Sequence, residues 1–187
     1  MPVGWAIVIV FQWLAIVALA AVVLGVLRQV TPHLERAGEP PVARAQNQGP
    51  AVGSTLLPFT CRESNGEIFT AAQILGSPAV LLFLSGTCAP CVNLADEIGA
   101  SDIAELADSL IVVTGPEDRG GLRLPDRLRV LLMPHAEVAQ VFSVRGRPFA
   151  IAVDPDGVVK DKRGVNTVAQ LTELTASVVP HAIPVSD

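Results

Sequence analysis

The stretch Leu81-Leu82-Phe83-Leu84-Ser85-Gly86-Thr87-Cys88-Ala89-Pro90-Cys91 limits what this chain can fold into more than any other segment. From Ala79 to Leu84 the run is apolar, unbroken and of strand length, which suits a central strand buried on both faces. Two cysteines follow at once, spaced one helical turn apart. Thr87 can cap a helix there, and Pro90 is tolerated in a first turn whose N–H groups lack partners. Beyond it Cys91, Leu94, Ala95 and Ile98 recur on one helical face. Thiols at this spacing can close into a disulfide, and the free N–H groups of a helix N-terminus favour a thiolate. The stretch reads as a redox dithiol delivered by a buried strand, with Cys88 exposed and attacking and Cys91, one turn deeper, resolving.

The remaining pattern alternates strands with helices. Leu56 to Arg62 reads as a first strand, Asn65-Gly66 as a hairpin turn, and Glu67 to Thr70 as the returning strand. Ala71 to Leu75 fits a single helical turn halted by Gly76 and Pro78. Leu110 to Thr114 is a second apolar strand, and Gly115 to Gly121 a polar, glycine-rich loop. Leu122 to Leu128 is a helix candidate interrupted by Pro125, and Val130 to Met133 a short strand. His135 to Phe142 fits a helix with Val138, Ala139 and Phe142 inward, and Phe149 to Val153 a strand. Asp154-Pro155-Asp156-Gly157 is a turn that sends Val158 to Asp161 back antiparallel. Asn166 is placed to cap a last helix carrying Val168, Leu171, Leu174 and Val178. This order predicts an α/β fold of three layers, with a mixed sheet between helices and reactive groups outside the carboxyl ends of its strands.

Between Met1 and Leu27 there is no charged side chain, whereas 17% of the whole chain is charged. A bilayer needs roughly 20 apolar residues, so residues 1–30 are expected to form one transmembrane anchor. A cleaved signal peptide ending at Ala18-Leu19-Ala20 is the rival, but the basic n-region is missing and the apolar run continues to Leu27. Residues 31–52, rich in Pro, Ala, Gln and Gly, read as a tether, 53–179 as the folded domain and 180–187 as a loose tail. Arg28, Arg36 and Arg44 follow the span and none precedes it, which by charge alone puts the domain in the cytoplasm. A net charge of -5 gives nucleic acid no basic surface. Three cysteines are too few for a disulfide-stapled scaffold, so the close pair points to chemistry.

Cys88-Ala89-Pro90-Cys91 after a buried strand, with Arg147-Pro148 just before a later one, resembles a thioredoxin-like fold. The match is to the membrane-tethered TlpA/ResA-like group, and within it to MauD-type accessory proteins of methylamine dehydrogenase maturation. Leu27-Arg28-Gln29-Val30, Gly49-Pro50-Ala51-Val52-Gly53, Leu81 to Ser85 with Thr87-Cys88, Pro148-Phe149-Ala150 and Gly164-Val165-Asn166-Thr167 carry the resemblance. It implies a cis peptide before Pro148, with Thr87, Arg147 and Pro148 contacting the client. It also implies a monomeric, single-pass membrane protein whose domain lies on the extracytoplasmic, periplasmic face of a bacterium, against the charge argument. Protein dithiols and disulfides would be its partners, and no cofactor is implied. Three positions depart from the pattern. Thr87 stands where Trp is usual, Leu82 where a buried carboxylate would take the resolving thiol's proton, and Leu94 where an acidic residue follows the second cysteine. These losses put fast turnover in question.

Other chemistries fit the residues less well. Val92 follows the pair where covalent haem attachment requires His. Cys88, Cys91 and His135 could together hold copper, which leaves a low-turnover maturation factor or copper metallochaperone as the alternative, but no metal site is assigned. A zinc site would need Cys61 as fourth ligand. Cys61 is otherwise a small buried hydrophobe, or a resolving or intermolecular thiol. His135 reads as a capping or surface histidine, Phe149 as core, and Arg145 as solvated.

Overall fold

The computed structural model describes residues 12–16, 19, 48–101 and 107–178. It divides into two units, Met1–Pro40 and Pro41–Asp187. In the first, residues 12–16 and 19 are helical, and Trp13, Leu14, Ile16 and Leu19 are exposed. Among the described residues no helix is long and apolar enough to cross a membrane. Most of the expected anchor, the tether up to residue 47, residue 179 at the end of the expected domain and the tail 180–187 lie outside the described residues.

The second unit is built on one seven-stranded sheet of order β2-β1-β5-β4-β3-β6-β7. Its strands are β1 (Thr60–Glu63), β2 (Ile68–Thr70), β3 (Ala79–Phe83), β4 (Leu110–Thr114), β5 (Arg129–Leu132), β6 (Phe149–Val153) and β7 (Val159–Gly164). Among the described residues three helices pack on it: α1 (Ala89–Ala100), α2 (His135–Phe142) and α3 (Val168–Ala176). The centre, β3–β4–β5, is parallel, and β6 joins β3 antiparallel. Side chains alternate across a strand, so β3 feeds two cores. Val80 and Leu82, with Leu84 just beyond, join Cys91, Leu94 and Ile98 of α1 and Leu171 and Leu174 of α3. Leu81 and Phe83 face the other way, onto Phe59, Phe69, Val138 and Phe142. The predicted three layers follow from this alternation.

Several boundaries differ from the sequence expectation, each for a local reason. The first strand starts at Thr60 rather than Leu56, because Pro58 offers no N–H and Leu56 instead donates to Gly157 O at 3.0 Å. Leu122 to Leu128 is not helical; Pro125 leaves a turn closed by Leu128 N–H on Pro125 O at 3.0 Å. The last helix is capped by Thr167, whose side chain accepts from Gln170 N–H at 3.4 Å. Asn166 one residue earlier donates its own N–H to Gln170 Oε1 at 2.8 Å. The β6–β7 hairpin runs on to Gly164, with Gly157 at φ +75° completing the turn.

Candidate functional site: a thiol pair against a cis-proline loop

Strand register explains why the two halves of the site meet. Phe83, the last residue of β3, pairs with Phe149, the first of antiparallel β6. The chain leaving β3 and the chain entering β6 therefore lie side by side. The first carries Ser85 to Cys88 and the second Arg147-Pro148, whose peptide bond is cis. Cys88 Sγ donates to Arg147 O at 3.6 Å. The expectation of a cis-proline wall facing the dithiol is met in this geometry.

Cys88, rather than Thr87, occupies the N-cap position of α1. Thr87 does not cap because its hydroxyl is engaged 3.0 Å from Ser85 Oγ. Cys91 N–H and Val92 N–H close the first turn on Cys88 O, at 2.9 and 3.0 Å. Pro90 sits in that turn, where its missing donor costs nothing. The outcome is two unequal free thiols: Cys88 is partly exposed and Cys91 is fully buried. Burial, with the hydrogen-bonded Cys88 sulfur beside it, pushes the Cys91 thiol up to about 12, although a Ser85 backbone hydrogen bond and the Arg147 charge pull the other way. Arg147 is half-buried and burial lowers its pKa, opposed by its attraction to Cys91, Asp118, Cys88 and Glu117.

The remaining predicted residues fall around this pair in different ways. Thr87 is exposed beside Cys88, and Pro148 and Phe149 are buried. Arg145 is exposed, with its backbone N–H on Gln48 Oε1 at 3.3 Å. Cys61 lies in β1, partly buried against the second core, where desolvation and the charges of Glu137 and Glu63 push its thiol up to about 11. His135 stands at the start of α2 with its side chain 37% exposed, in keeping with a surface histidine, and its Nε2 lies 2.8 Å from Asp118 Oδ2, a close contact without hydrogen-bond alignment.

Sequence reasoning passes over Asp118 and Ser85. Ser85 Oγ donates to Asp118 Oδ2 at 2.6 Å, and both residues are buried. The only advance signal was position, since Asp118 belongs to the Gly115 to Gly121 loop at the carboxyl end of β4. Among the described residues, Glu117, Asp118 and His135 are the one group whose possible ligand atoms lie within 4.8 Å of one another. The copper set of Cys88, Cys91 and His135 does not form, because the imidazole turns to Asp118.

A partly exposed thiol and a buried one, held on a helix start against a cis-proline, give disulfide exchange the asymmetry it needs: one sulfur to attack and one to resolve. Fold and site together make this chain a thioredoxin-like protein of the thiol–disulfide oxidoreductase class. Among solved structures it is similar to MTB dsbF, described in mixed oxidised and reduced forms, at 25% identity and TM-score 0.54, covering 65% of this chain and 95% of that one. It is also similar to a thio-disulfide isomerase from Thermus thermophilus, at 26% identity and TM-score 0.52, covering 68% and 97%. No family model matches the chain. Its curated relatives include methylamine utilization protein MauD of Methylorubrum extorquens, 30% identical over 88% of this chain and 82% of the relative. The same protein of Methylobacillus flagellatus is 30% identical over 84% and 78%. The chain belongs to the MauD family.

Proposed function

We propose that this protein exchanges disulfides with partner proteins through Cys88 and Cys91 while tethered to a membrane by residues 1–30. The Cys88 thiolate attacks a client disulfide, forming a mixed disulfide and expelling one client sulfur, which takes up a proton. Cys91 then gives up its proton and attacks Cys88 Sγ, closing the Cys88–Cys91 disulfide and releasing the second client thiol. Two electrons pass to the client; the reverse sequence oxidises a client dithiol. The contrast between partly exposed Cys88 and fully buried Cys91 carries this reading.

Thr87, Arg147 and Pro148 border Cys88 and are the residues we assign to client contact, with Arg147 offering a cation to an acidic segment. Its relatives' name points to a client in methylamine utilization. The charge-free run from Met1 to Leu27 supports the anchor, and the resemblance to membrane-tethered thioredoxin-like proteins is the ground for an extracytoplasmic domain. Insulin reduction with a Cys88→Ser control tests the exchange: turnover that survives the substitution, or none in the parent protein, sinks it. A topology reporter fused after Asp187 tests the orientation; a cytoplasmic signal overturns it.

A further inference from the structure

We propose that Asp118 is a positioning residue for Cys88, fixing from the loop after β4 the turn that presents the attacking sulfur. This rests on the exchange reading and extends it. The family pattern places a buried carboxylate where this chain has Leu82, yet a carboxylate is buried beside the dithiol all the same. Asp118 is 5% exposed. Ser85 gives its single hydroxyl proton to Asp118 Oδ2, at 2.6 Å. The lone pairs of Ser85 Oγ are thereby committed to the turn that follows. Thr87 Oγ1 lies 3.0 Å from that oxygen, and Thr87 N–H donates to it at 3.4 Å. Cys88 N–H closes the same turn on Ser85 O at 3.2 Å. One chain of contacts thus runs from Asp118 to the residue that begins α1.

Two glycines show independently that the loop and the turn are built to touch. A Cβ on Gly86 would stand 2.2 Å from Asp118 O, and one on Gly121 would stand 2.7 Å from Gly86 O. Neither backbone could approach so closely with a side chain between them. That approach brings the short aspartate within reach of Ser85. His135 Nε2, 2.8 Å from the same Oδ2, the neighbouring Glu117 carboxylate and the Arg147 charge also act on the buried carboxylate. The cis-proline loop is one wall of the dithiol and the Gly115 to Gly121 loop is the opposing support.

The test uses the full 187-residue chain, reduced, with Asp118→Ala, Asp118→Asn, Ser85→Ala and the double variant Asp118→Ala/Ser85→Ala. Two rates are read at one pH: alkylation of Cys88 by iodoacetamide, and exchange with oxidised glutathione. Misplacing a reacting atom by about 1 Å costs up to about 100-fold, so a loosened turn is expected to slow each single alanine variant about tenfold. The double variant loses about tenfold too, because both changes cut one chain. Asp118→Asn keeps an acceptor oxygen and recovers to within about threefold of the parent. Cys91 stays protected from alkylation throughout, which shows that the core is intact. Parent-like rates in Ser85→Ala, losses that multiply in the double variant, or an Asp118→Asn protein as slow as Asp118→Ala each overturn the proposal. If Asp118→Ala does not fold, Ser85→Ala and Asp118→Asn decide alone. Absent glutathione exchange in the parent protein would defeat the exchange reading, while Cys88 alkylation would still report on Asp118.

Discussion

Replacing Cys88 by Ser leaves Cys91 as the sole sulfur at the site and exposes how protected it is. The Cys91 thiol is pushed up to about 12, chiefly by burial. At pH 7.5 its reactive thiolate is therefore far scarcer than that of an ordinary exposed thiol. Desolvation is the largest cause and does not depend on the Cys88 sulfur, since Cys91 is fully buried in the core cluster that also holds Val80, Leu94 and Leu171. In a Cys61→Ala background, iodoacetamide should alkylate Cys88 of the Cys91→Ser variant readily. Cys91 of the Cys88→Ser variant should stay unmodified over the same period and react fully in urea. Peptide mass spectrometry reads both. Labelling of native Cys91 at the denatured rate would refute the asymmetry on which the exchange mechanism depends.

Three further outcomes test other parts of the account. Gly86→Ala drives a methyl group into Asp118 O and should destabilise the protein by about 1–3 kcal/mol in urea unfolding, with slower insulin reduction. Phe142→Ala empties a site where its ring lies 5.0 Å from Phe59 and 5.1 Å from Phe83, and should cost about 3–5 kcal/mol while leaving Cys88 reactive. Asp154 pairs with Lys160 at 2.8 Å and accepts Val158 N–H at 2.9 Å, which together hold its carboxyl below the usual range. Its contribution is therefore present above about pH 4 and lost as pH falls further, so Asp154→Asn should flatten the acid limb of the stability curve.

Residues whose fate is decided by their neighbours in sequence were legible in advance. The apolar run Ala79–Phe83 became a strand buried at every position, and the Cys91, Leu94, Ala95, Ile98 face became the buried side of α1. Helix α2 covers His135–Phe142 as its pattern predicts, and the cis Arg147–Pro148 peptide stands where family likeness put it. What could not be read depends on contacts distant in sequence. Asp118 meets Ser85 across 33 positions, and the partly exposed His135 comes to lie beside Asp118 only once β4 and β5 lie side by side. The shifted cap of α1 has a local cause instead, because the Thr87 hydroxyl is engaged by Ser85 two residues earlier and Cys88 takes the N-cap position. The sequence thus advertised the thiols and concealed the loop that supports them.

The central claim is that Cys88 and Cys91 form a reversible redox pair. Its most direct test is to equilibrate the full chain across a series of glutathione buffers and count free thiols peptide by peptide. The account predicts one two-electron transition, with Cys88 and Cys91 losing and regaining their hydrogens together and Cys61 remaining a thiol throughout. A pair that stays reduced in every buffer, or a disulfide that recruits Cys61 in place of Cys91, would contradict it.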